Sequence, residues 1–145
     1  MFTFLNSAMA ASTQRFLSFE LGKRENIHKV FSSSVLIHRI IALIVLLSGE
    51  TIGLWFVNTQ LNIPSLRMDA ANVVYQCSIF ICLLNIISIP YNATIIAHEK
   101  MKAFAYISII ETSLKLVAVL LLPIFSSDKL KLYALFLLGI SIIIR

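Results

Sequence analysis

Glu111 and Lys115 stand four residues apart in a stretch, Ala103 to Phe125, that is otherwise almost entirely hydrocarbon. On a helix the two share a face, in the favourable Glu-before-Lys order. Such a pair either neutralises itself so that a helix can insert and pack, or lines a cavity and contacts a charged substrate or coupling ion. Arg39 and Glu50 lie eleven residues apart in a second apolar stretch, on one helical face but about 16 Å from each other. Neither can neutralise the other, so each needs a partner on another helix, water, or an interface to snorkel to. Arg15 sits among Ser7, Ala8, Ala11, Ser12 and Gln14, small or polar residues, the small ones letting helices approach closely. It either snorkels to the nearby boundary or presents a guanidinium able to grip a phosphate with two hydrogen bonds. Ser78, Asn85 and Asn92 recur every seven residues, with Ser88 nearby, as one polar stripe. The stripe either bonds helices together or faces a water-filled cleft, and Pro90 within it frees the carbonyl of Ile86.

These residues need long apolar elements to hold them. Five stretches qualify: Phe2 to Leu21, Val30 to Val57, Ala70 to Ala97, Ala103 to Phe125 and Leu130 to Ile144. Between Ala70 and Phe125 the chain is almost unbroken hydrocarbon except for the polar knot His98-Glu99-Lys100-Met101-Lys102, which describes a membrane hairpin. In lipid the backbone must satisfy itself, so the stretches are expected to be helices. The expected architecture is therefore all-α: a polytopic bundle of about five spans forming one transmembrane domain over residues 1–145. The last stretch covers only ~22 Å of a ~30 Å hydrocarbon core. The first begins without a polar flank, so both ends read as cut from something longer.

Composition agrees. Of 145 residues, 59% are hydrophobic and 13% charged, against roughly 25% charged in a soluble domain. Mean hydropathy is +0.90. The net charge of +5 does not cluster on any soluble, aromatic-interleaved segment, which argues against nucleic acid. Instead, basic residues occupy links: Lys23, Arg24 and Lys29 in the first, Lys100 and Lys102 in the third. The second link has Arg67 with Asp69, and the fourth has Asp128 and Lys129 with Lys131 just beyond. Links one and three are thus expected inside, two and four outside. Trp55, Tyr75 and Tyr133 then fall near the outer interface, as an aromatic belt would. Cys77 and Cys82 would stand about 140° apart on a helix, unable to pair or share a metal. No Gly-rich phosphate loop, HExxH motif or nucleophile elbow is present, so neither an enzyme nor a cofactor is expected.

The run from Pro90 to Met101 (PYNATIIAHEKM), followed by Phe104-Ala-Tyr-Ile, resembles a connection between two spans in bacterial polysaccharide-repeat flippases. These are the O-antigen transporters of the multidrug/oligosaccharidyl-lipid/polysaccharide exporter superfamily. The segment from Ala11 to Gly22 is similar to the end of their second span, and Glu50-Thr-Ile-Gly-Leu-Trp55 to the outer end of their third. The resemblance implies two pseudo-symmetric lobes of helices around a central cavity, with this chain supplying spans two to six of the amino-terminal lobe. It implies transport, by alternating access, of an undecaprenyl-pyrophosphate-linked oligosaccharide across the bacterial inner membrane. The missing remainder of the transporter would be a partner, as would the lipid bilayer. On that reading Arg15, Arg39 and Lys115 offset the pyrophosphate charge, and Asn85 and Asn92 contact sugar hydroxyls. Glu50 and Glu111 bind a coupling cation or proton. Two other readings stay open: a fragment of a cation-coupled multidrug exporter, and a membrane subunit that only packs against partners.

Overall fold

The computed structural model describes residues 2–23, 27–60, 64, 67–124 and 128–145, with side chains from residue 7 onward except at 124. Every regular element among them is helical. Helix α1 spans Phe2–Lys23 and α2 spans Ile27–Ser48. A π-turn over Gly49–Gly53 joins α2 to the short α3, Leu54–Thr59. Then come α4 (Met68–Ala97), α5 (Met101–Leu121), a 3₁₀ turn (Leu122–Ile124) and α6 (Lys129–Ile144). Three helical runs are long and apolar enough to cross a membrane: Ile27–Thr59, Met68–Ala97 and Met101–Leu121. The other two expected spans are helical but fall outside that class. In α1, Ser, Thr, Gln and Arg dilute the hydrocarbon, and α6 has only 16 residues. The expected ends at Phe125 and Ser126, and Arg24 of the first link, lie outside the described residues.

Helix α4 is the hub. Helices α1, α2 and α6 pack along it, and α5 leans chiefly on α6. The seams are built from small side chains: Ser34 and Ala42 of α2, Ala70, Ser88 and Ala93 of α4, Ala118 of α5, Ala134 and Ser141 of α6 are all buried. Small residues let backbones approach closely, and dispersion then holds helices together without help from water. Larger groups fill the remaining gaps. Leu17, Ile86 and Pro90 are fully buried, and Phe31 meets Tyr91 edge-on at 5.6 Å. Helix α4 runs on through Pro90. Outside the seams, large apolar side chains face outward: Phe80, Ile109, Leu116 and Leu120 are each at least half exposed.

The turn between α4 and α5 closes by backbone alone. Lys100 N–H reaches Ile95 O at 3.1 Å and Glu99 N–H reaches Ile96 O at 2.9 Å. This is a Schellman closure, which needs a left-handed residue after the helix end. That residue is Glu99, at φ 60°, where glycine would sit without strain. Glu99→Gly should therefore stabilise the fold by about 0.5–1 kcal/mol, read as a higher thermal unfolding midpoint in detergent.

Candidate functional site

Helix α5 carries Glu111 toward α6, and two cations meet it there. Lys115 Nζ donates to Glu111 Oε1 at 2.6 Å, one turn along the same helix. Arg145, capping the end of α6, brings Nη2 to within 3.5 Å of Oε2. The Glu111 and Arg145 side chains are 20% exposed, whereas Lys115 is 47% exposed. The carboxylate is thus held from two sides, and the cluster keeps one surplus positive charge on its open flank. The sequence gives the Glu111–Lys115 pair through its spacing. Arg145 is thirty-four residues from Glu111 and only the docking of α6 on α5 brings it in.

A second group forms where α2 opens. The π-turn inserts an extra residue per turn, with Leu54 N–H bonding back to Gly49 O. Tyr75 of α4 donates its hydroxyl to that same carbonyl at 2.8 Å. Beside it, Gln76 Nε2 donates to Glu50 Oε2 at 3.1 Å. Glu50 has therefore found the interhelical partner it needs. Arg39, three turns earlier on the same helical run, is exposed, and Glu50 is half-buried. The π-turn begins at Gly49, immediately before Glu50. Gly49 and Gly53 make the close approach possible, since a Cβ on Gly53 would fall on the Tyr75 hydroxyl. Their Gly-x-x-x-Gly spacing was the sequence signal for this contact.

The remaining predicted residues do not converge. Arg15 and Arg39 are exposed and form no ion pair among the described residues. Asn85 donates to Ile81 O at 2.9 Å on its own helix, so it does not tie α4 to a neighbour. Ser78 and Ser88 likewise bond Val74 O and Leu84 O, each four residues back. A backbone carbonyl one turn away has a second lone pair beyond its ladder bond, and for a short side chain it outcompetes a more distant partner. Asn92 is half-buried on the same helix.

A cavity lies between α1 and α2, with a volume of about 590 Å³, inside the range of ligand pockets. Its wall includes Ser12, Thr13, Ser33, Ser34 and His38, with Lys29 at one end. His38 is 4% exposed, and its Nδ1 lies 2.8 Å from Ser34 O. A carbonyl only accepts, so Nδ1 carries the proton and Nε2 of the neutral ring is an acceptor. Neither His38 Nε2 nor Ser34 Oγ has a hydrogen-bond partner. In the sequence His38 stands beside the more conspicuous Arg39, and its place in an apolar run is the one signal for it. The chain matches no family model, no curated protein and no solved structure.

Gly53→Ala should force Tyr75 aside, break its bond to Gly49 O and destabilise the fold by about 1–3 kcal/mol. Gly139→Ala, where an added methyl meets nothing within 4 Å, should be neutral or stabilising. Unfolding midpoints of both variants in one detergent check the contrast.

Proposed function

We propose that this chain is part of a multi-pass membrane transporter that moves a lipid-pyrophosphate-linked oligosaccharide across the bacterial cytoplasmic membrane. On this reading about five spans contribute to the amino-terminal lobe of a two-lobed flippase, and the rest of the transporter completes the cavity. The observation that carries the reading is the Glu111–Lys115 pair on α5, a helix otherwise built for hydrocarbon, with Arg145 brought to it from the end of α6. An ionisable residue inside a span costs about 2.5–3.5 kcal/mol on insertion scales, so its presence marks a polar path or a required contact. With one carboxylate neutralising one of two cations, the cluster keeps a positive charge for an anionic head group. The resemblance of Pro90–Met101 to O-antigen flippases supplies the substrate class. Glu50, hydrogen-bonded to Gln76 beside the π-turn, keeps the role of coupling-ion ligand.

One observation favours a second reading, a subunit that only packs. Glu111 is already satisfied from two sides, and Asn85 spends its amide on its own helix. The double substitution Glu111→Leu with Lys115→Leu separates the two. In cells making a lipid-linked oligosaccharide, transport predicts at least a tenfold fall in periplasmic delivery by the complete transporter. Unchanged delivery at equal membrane abundance would instead support packing alone.

A further inference from the structure

We propose that the cleft between α1 and α2 holds one anionic phospholipid, its phosphate at Lys29 and an acyl chain between the two helices. This rests on the membrane reading above but not on the flippase assignment.

The argument is the order of chemistry along the cavity. Lys29, in the first turns of α2, lines one end and forms no ion pair among the described residues. It lies in the same cationic link as Lys23, whose ammonium sits 4.5 Å above the Phe19 ring. One turn deeper, Ser33 and Ser34 face Ser12 and Thr13 across the cleft. Deeper still the wall is Ile37, Ile41, Ala8 and Met9, with His38 the one polar side chain among them. Cation, hydroxyls, then a mainly apolar wall is the sequence of groups that suits a glycerophospholipid from phosphate through ester carbonyls to acyl chain. The spacing agrees: four to five residues of helix separate Lys29 from the serines, about 6–8 Å. Ester carbonyls only accept, and serine hydroxyls can donate to them. Ser12 and Ser33, both exposed and both lining the cleft, are the hydroxyls placed to do so. A neutral zwitterionic lipid would bring the same carbonyls and chains, so Lys29 is what selects for net negative charge.

The test uses the full chain, purified in mild detergent and exposed to equal amounts of phosphatidylglycerol and phosphatidylcholine. Retained lipid is counted by native mass spectrometry. One phosphatidylglycerol per chain is expected, in preference to phosphatidylcholine. Lys29→Gln, at an exposed position, should lower that preference roughly fivefold, the factor for one lysine near an anionic surface. Ala8→Phe, which narrows the cleft, should abolish retention of both lipids while leaving helix content unchanged. Equal retention of the two lipids, indifference to Lys29→Gln, or retention surviving Ala8→Phe would each overturn the site. Alkaline carbonate extraction of the same membranes keeps the two claims apart. A chain that stays in the membrane without holding phosphatidylglycerol refutes the lipid site alone; a chain released by carbonate refutes the membrane reading as well.

Discussion

A peptide group without a hydrogen-bond partner costs several kcal/mol in hydrocarbon, and three helical runs of this chain are long and apolar enough to face that penalty. Helices meet it internally, residue by residue, and every regular element among the described residues is helical. Even the link between α4 and α5 follows the rule, closing Ile95 O and Ile96 O with backbone donors. Once the backbone is satisfied, apolar side chains gain little by leaving lipid for protein. Burial accordingly concentrates in narrow seams along α4, where Ala70, Ser88 and Ala93 alternate with Ile79, Ile86 and Ile89, while Ile109, Leu116 and Leu120 stay outside. Large exposed apolar surfaces of this extent mark a membrane or partner face rather than a solvated one.

Against that background the polar groups sort by how far they must reach. Short side chains (Ser48, Thr51, Ser78, Asn85, Ser88, Thr94) turn back to a carbonyl four residues earlier. Such bonds satisfy the side chain without engaging another helix. Longer groups cross a seam from Tyr75 to Gly49, Gln76 to Glu50 and Arg145 to Glu111, and one short pair, Asn72 to Asn58 at 3.4 Å, joins α4 to α3. Two of these four crossings involve a carboxylate, and a third secures the π-turn beside one.

Much of the fold was legible because apolar length is a one-dimensional signal. The interruption at His98–Lys102 coincides with the end of α4 at Ala97 and the start of α5 at Met101. The Glu111–Lys115 pair was legible for the same reason, since four residues on a helix is a contact distance. What stayed hidden depends on a change of pitch or on docking. The π-turn at Gly49–Gly53, beside which Glu50 meets Gln76, is a change of pitch that apolar length does not announce. The stripe through Asn85 was visible, but whether its amide looks outward or back along the helix is decided by local competition. Arg145 beside Glu111, and the hydroxyl-lined cleft between α1 and α2, depend on which helices become neighbours. Alternation of apolar and polar residues does not encode that choice when every face is apolar.

Site-directed nitroxide labelling along α5 tests the central claim most directly. Labels at Ile109 and Leu116, each 61% exposed, are introduced into the chain reconstituted in bilayers. Acyl chains around α5 predict relaxation enhanced by dissolved oxygen and insensitive to a water-soluble nickel chelate at both positions. Strong enhancement by the chelate at Ile109 and Leu116 would mean that water, not lipid, surrounds the helix, and would contradict the account.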